Sequence, residues 1–135
     1  MSEKSGFQFE DYVIRKSVFI INGKSDKHYE TKINPSGIIH KNKKQFQLSL
    51  DIIVSDKDEN HFINIESVAL FTYKGDIQKI WDYFLTNAPA ILFPYLRAYI
   101  SSLTALSGTD TIILPTMNLT GLKQVLEENI QLIEE

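Results

Sequence analysis

Few side chains in this sequence are of the kinds that perform acid–base, nucleophilic or metal chemistry. Three histidines are present (His28, His40 and His61), and cysteine is absent. Each histidine lies beside polar residues, where the ordinary expectation is a solvent-facing ring rather than a general base or a ligand. The run Asp56-Lys-Asp58-Glu-Asn60 has the oxygen spacing with which a calcium loop opens. Such a loop needs glycine at its sixth position and glutamate at its twelfth. His61 and Ser67 stand there instead, so the run reads as a charged hairpin turn. Lys41, Lys43 and Lys44 cluster positive charge without aromatic side chains on a nearby strand to stack bases, so a solvated turn is expected. No glycine-rich phosphate loop occurs. The expectation is a protein that is not an enzyme and that uses no metal and no cofactor.

Binding through apolar surface is the remaining class of activity. A chain of 135 residues is expected to form one domain spanning residues 1–135, with one core. Apolar residues make up 43% of it, which is globular composition. Net charge is 14 − 17 = −3, so nucleic acid is not an expected partner. The opening Met-Ser-Glu-Lys-Ser-Gly has no apolar signal-peptide core. No apolar run approaches the ~20 residues that span a bilayer, so membrane insertion is not expected. With no cysteine to form disulfides, a cytoplasmic location is expected.

The elements that would position a binding surface follow from periodicity. Phe7 to Ile21 reads as a strand, with Val13, Ser17, Phe19 and Ile21 on one face and Ile14, Lys16, Val18 and Ile20 on the other. Asn22 to Asn34 is polar and leads into Pro35-Ser-Gly37, so a long crossover loop is expected, with Ile33, Ile38 and Ile39 as its apolar points. Phe46, Leu48, Leu50, Ile52 and Val54 alternate with Gln45, Gln47, Ser49, Asp51 and Ile53, the clearest strand in the chain. A further strand runs from about His61 to Tyr73. Ile77, Ile80, Trp81, Phe84 and Leu85 then recur at helical spacing, predicting a short helix after Lys74-Gly75-Asp76. Thr120 is placed to cap a last helix bearing Leu122, Val125, Leu126, Ile130 and Ile133. Strands followed by helices predict an α+β fold, an antiparallel sheet with helices on one face.

Between these helices lies the most informative stretch, Asn87-Ala-Pro-Ala-Ile-Leu-Phe-Pro-Tyr-Leu-Arg97. Pro89 suits a helix start, where its missing N–H needs no partner. Pro94, about a turn later, must kink the helix or mark its first residue. Leu92, Leu96, Tyr99, Ile100, Leu103 and Leu106 then form an apolar stripe, and Gly108 ends the run. Ala98, Ser101, Ser102 and Ala105 form a second stripe of small residues. Together with two strands that are apolar on both faces, this is more packable surface than one core absorbs. Some of it is expected to meet another chain or a ligand.

The Asn-Ala-Pro-x-Ile-Leu-Phe-Pro-Tyr-x-Arg segment, with Leu114, Pro115 and Asn118 beyond the glycine, resembles the SecB family of bacterial protein-export chaperones. The resemblance is dense over about residues 86–122, and the order of strands extends it toward the N-terminus. It implies a four-stranded antiparallel sheet with two main helices, and a dimer of dimers meeting through the long helices. It implies ATP-independent binding of unfolded, not yet exported client polypeptides. Carried onto this chain, Ile33, Ile38 and Ile39, with Leu122, Val125 and Leu126, are candidate peptide-binding residues. Leu92, Tyr95, Ala98, Tyr99, Ser101, Ser102 and Ala105 are candidate oligomer-interface residues.

One departure bears on the export role. Family members that pass clients to the SecA motor carry acidic side chains on the outer sheet face. Lys16, Ile20 and Asn64 stand at those positions, with only Glu66 nearby, and the sequence stops at Glu135 without an extended acceptor tail. SecA docking is therefore not expected. The alternative is a SecB-like chaperone dedicated to one partner, such as an antitoxin.

Overall fold

A computed structural model describes residues 6–25, 27–115 and 119–134. Five strands form one sheet in the order β1-β4-β3-β2-β5: β1 (Phe7–Ile21), β2 (Tyr29–His40), β3 (Gln45–Asp56), β4 (His61–Tyr73) and β5 (Ile130–Ile133). The first four pair antiparallel, and β5 lies parallel to β2. Helix α1 (Ile77–Leu106) crosses one face, and the short helix α2 (Leu122–Glu128) follows a 3-10 turn at Leu119–Gly121. The α+β class is as expected, but the sheet has five strands, not four.

The core lies between α1 and one sheet face. Phe46, Leu48, Leu50, Ile52 and Val54 of β3 and Ile63, Ile65, Ala69 and Phe71 of β4 point into it and are fully buried. Strict alternation puts every second side chain there, and each large one buried contributes about 1.5–3 kcal/mol. On β1 the alternation is broken. Register shifts between Phe9 and Asp11 and between Ile14 and Lys16 leave Glu10 and Arg15 as extra residues. Ile14, opposite Ser67, therefore shares the core side with Ser17 and Phe19, opposite Ile65 and Ile63. Val13, opposite Val68, turns outward and is 55% exposed. The face assignments of Val13 and Ile14 expected from simple alternation are thus exchanged.

The expected crossover loop is largely strand β2, which pairs with β3 over twelve residues. Pro35 and Gly37, which read as turn signals, are both buried. The Gly37 amide points away from β3, toward Asn129. Pro35, two residues earlier, has its nitrogen on the same open side, so no ladder bond to β3 is lost. Gly37 is required for space: a Cβ there would come within 2.9 Å of Cε1 of Phe46.

Helix α1 is one helix of thirty residues, not a short helix followed by a longer one that starts at a proline. Asp76, its cap, accepts a 2.9 Å hydrogen bond from the Gln78 amide, and Gly108 at φ +82° follows its end. Pro89 and Pro94 both lie inside it. An interior proline costs about 3 kcal/mol. The stripe Phe84, Leu85, Ala88, Pro89, Leu92, Phe93, Leu96 and Ile100 runs buried through both prolines. Packing of that stripe outweighs the two lost backbone bonds. The predicted last helix stops early. Gly121, not Thr120, is the N-cap of α2, and Ile130 and Ile133 belong to β5. Asn118 lies outside the described residues.

Candidate functional site

The helix motif is occupied within its own chain. The extended segment 111–115 runs back along α1 and is stapled by three side chains. Arg97 Nε donates to the Leu114 carbonyl, Ser101 Oγ donates to the Ile112 carbonyl at 2.9 Å, and Thr104 Oγ1 accepts from the Ile112 amide at 2.9 Å. Positions 97, 101 and 104 share one helix face, which is why this spacing can hold an extended strand. Ile112 and Leu114 are buried beneath the staple, and Ile113 points outward. A shallow cavity of about 320 Å³, lined by Pro94, Arg97, Ala98, Ser101, Thr111 and Ile113, lies beside it.

The seven candidate interface residues therefore divide. Leu92 is fully buried in the chain's own core. Ser101 is committed to Ile112, and the Tyr99 hydroxyl donates to Ser17 Oγ of β1 at 2.9 Å. Tyr95, Ala98, Ser102 and Ala105 remain exposed, at spacings of three and four that align them on one side of α1.

The six candidate peptide-binding residues also divide. Ile33, Ile38 and Ile39 all lie on β2, and Leu122, Val125 and Leu126 on α2. Ile39 and Leu126 are fully buried and belong to the core, so they offer a client nothing. Ile33, Ile38 and Leu122 are half-buried, and Val125 is exposed.

A second apolar surface was not foreseen. Along the seam between β1 and α1, Tyr12 packs on Tyr95 at 4.9 Å between ring centroids, and Phe9 on Tyr95 at 5.7 Å. Phe7 contacts Tyr83 edge-on at 5.1 Å. The rings of Tyr12, Tyr83 and Tyr95 all remain partly in solvent. β1 is an edge strand, so the seam borders unpaired backbone groups. The spacing Phe7-x-Phe9-x-x-Tyr12 carried the signal, masked by the extra residue at Glu10. On the opposite sheet face, Lys16 pairs with Glu66 at 3.3 Å, and Asn64 is buried, donating to Asp51 Oδ1 at 2.6 Å.

The polar end of the sheet gathers Ser25, Tyr29, Asp56 and His61. His61 is buried rather than solvent-facing, and His40, half-buried in β2, is likewise not a loop residue. The Tyr29 hydroxyl lies 3.4 Å from His61 Nδ1 and accepts from Ser25 Oγ at 2.8 Å. Burial raises the Asp56 pKa, but the His61 and Asn60 amides, the Ser25 hydroxyl and the His61 charge outweigh it, so it lies below the usual range. Asp56 Oδ1 receives the His61 backbone amide, not its ring. Ser25 Oγ lies near both the Tyr29 hydroxyl and Asp56, and these residues do not line up as nucleophile, base and orienting acid. A cavity of about 630 Å³ nearby has mixed lining, including Lys32, Ile53, Glu59 and Phe62. Among the described residues, no group of three or more acidic or histidine side chains gathers to hold a metal, and no helix is long and apolar enough to cross a membrane.

The sheet order, with a long helix across one face, is a SecB-like α+β fold. The family model for preprotein translocase subunit SecB matches residues 16–128, and the chain belongs to the SecB family. It is 28% identical over 135 residues to the uncharacterised protein MJ0357 of Methanocaldococcus jannaschii, across 93% of this chain and 87% of that one. Its fold is similar, at a TM-score of 0.71 and 17% identity, to the Mycobacterium tuberculosis SecB-like chaperone Rv1957, solved in complex with a ChAD peptide from the Rv1956 HigA1 antitoxin. That match covers 82% of this chain and 87% of the other.

Proposed function

We propose that this protein is a cytoplasmic chaperone that holds non-native polypeptides without using nucleotide, working as a homo-oligomer. The observation that carries this reading is the apolar surface left over once the core is filled: the Phe9–Tyr12–Tyr95 seam beside an unpaired strand edge. Aromatic side chains offer large contact area at low entropic cost, and an open edge supplies backbone partners to an extended client. The exposed stripe Ala98, Ser102 and Ala105 supports close helix–helix contact between subunits, in a dimer of dimers.

Membership of the SecB family supports a role in keeping precursors competent for export. A chaperone dedicated to one partner is the second reading. The Lys16–Glu66 ion pair and the buried Asn64 favour it, because the Lys16 cation offsets the Glu66 and Asp51 carboxylates, which are register partners on the outer face. The fold shared with a chaperone solved in complex with an antitoxin peptide points the same way.

The test is suppression of aggregation. Purified protein added in stoichiometric amounts to a diluted, unfolded polypeptide is expected to hold it in solution without ATP, with light scattering giving a mass near four chains. Unchecked aggregation by a monomeric protein would refute the reading. Capture of many chains from a cell extract favours general holding, and capture of one dominant chain favours the dedicated role.

A further inference from the structure

Strand β5 occupies an edge that would otherwise be open. It covers β2 from Gly37 to His40 in a parallel register, Gly37 opposite Ile130 and His40 opposite Ile133. The Gly37 amide donates to the Asn129 carbonyl at 3.1 Å and the Lys41 amide to the Ile133 carbonyl at 2.8 Å. The missing Cβ of Gly37 makes a notch, and Cγ1 of Ile130 lies 3.4 Å from where that carbon would be. Leu132, two residues on and on the same side, is 55% exposed. This is how an extended peptide sits on a sheet edge: backbone pairing along its length, with alternate side chains in shallow sites.

Beyond that ladder, β5 is held by Ile130, partly buried against the core, and by the surface Lys41–Glu134 pair. It spans four residues, none of them fully buried. The helix before it is anchored separately. Leu126 is fully buried, the Asn129 amide closes on the Leu126 carbonyl at 2.9 Å, and the Asn129 side chain donates to the Val125 carbonyl at 2.8 Å. α2 therefore ends in its own cap, and β5 can leave without unwinding it. His40, paired with Ile133, has its Nδ1 buried with no hydrogen-bond partner.

We propose that β5 is a resident substitute for client. It fills the Gly37–His40 edge of β2 and is displaced by an extended client segment with apolar residues at alternate positions, the pattern of Ile130-x-Leu132. The inference rests on the chaperone reading and adds to it a client class and a second site, on the sheet edge opposite the Phe9–Tyr12–Tyr95 seam. A docked strand lowers apparent affinity by the fraction of time the edge is free, so locking β5 down must weaken binding.

The chain has no cysteine, which allows a clean lock. Ile38 and Gln131 are register partners, so Ile38→Cys with Gln131→Cys places two thiols across the β2–β5 pair. Binding of permanently carboxymethylated, unfolded α-lactalbumin is measured by fluorescence anisotropy for the oxidised and reduced forms of this variant and for the parent. The oxidised form is expected to bind at least about tenfold more weakly than the reduced form, because a locked β5 frees the edge for a far smaller fraction of the time. Equal binding by the two forms overturns the proposal while leaving the chaperone reading intact. A parent protein that neither binds nor suppresses aggregation removes the chaperone reading itself. A chain ending at Asn129, with its fold checked by circular dichroism, gives an independent reading. It is expected to bind several-fold more tightly than the parent, and a folded truncation that binds more weakly overturns the proposal.

Discussion

The segment 111–115 and strand β5 are both stretches of extended chain laid against the core, and they are held by different means. The first is fixed by side chains reaching from α1: Arg97, Ser101 and Thr104 take its backbone groups one by one, while Ile112 and Leu114 are buried below. The second is held by backbone pairing to β2, with Leu132 largely in solvent and a surface ion pair beside it. Side-chain anchors are specific to one sequence. A backbone ladder accepts any extended chain with the right alternation. One segment is therefore part of the permanent structure, and the other lies on a surface suited to exchange.

The largest expected effect tests the first half of this contrast. Leu114→Ala removes a fully packed anchor and should lower stability by about 2–5 kcal/mol. Leu132→Ala, at an exposed side chain of β5, should change it by no more than about 0.5 kcal/mol. Both are read from urea unfolding. Similar losses from the two substitutions would break the contrast.

Thr104→Val comes next. It keeps the shape but removes the hydroxyl that accepts the Ile112 amide and donates to the Ile100 carbonyl at 3.0 Å. A buried N–H left unpaired costs about 1–3 kcal/mol. Hydrogen exchange sharpens the comparison within one sample. In the parent protein the Ile112 amide should exchange only through large-scale opening, while the Lys41 amide, bonded to Ile133, should exchange through a far smaller one. In the Thr104→Val variant the first difference should shrink and the second amide should be unaffected.

What the sequence revealed follows the same division. Side-chain anchoring leaves residue types at fixed spacings, so the motif around Arg97, with Leu114 and Pro115 beyond it, and the family were legible. β3 and β4 were legible because each buries one face, which enforces alternation. β2 was missed because its core face is built from Ile33, Pro35, Gly37 and Ile39, where an edge position tolerates the proline and Phe46 demands the glycine. β1 was found, but its bulges exchanged two side chains between faces and hid the aromatic seam. The prolines of α1 suggested a break because local propensity was weighed without the buried stripe that runs past them. β5 was absorbed into a predicted helix, since Leu126, Ile130 and Ile133 fit a helical period. In the candidate site, burial separated residues that share a type. Ile39 and Leu126 went to the core, while Ile38 and Val125 stayed accessible. Hydrophobicity alone does not distinguish an apolar side chain the core needs from one left over.

The smallest expected effect probes the second half of the contrast. Lys41 Nζ lies 3.5 Å from Glu134 Oε1, with side-chain exposures of 42% and 80%. At such exposure the attraction is screened by water, and ordering two long side chains offsets much of it, so pairs of this kind contribute about 0.2–1 kcal/mol. Lys41→Ala should therefore sit near the lower end of that range. The difference from the parent should vanish at 1 M salt, where the Debye length falls to about 3 Å. The Lys41 backbone amide is untouched by the substitution and still bonds to Ile133, so β5 should remain docked, with its exchange protection changed by less than about twofold. A loss above about 1 kcal/mol that persists in high salt would mean that a side chain anchors β5 as Arg97 anchors Leu114. The two segments would then be held in the same way, and the case for a strand ready to give up its place would fail at its physical root.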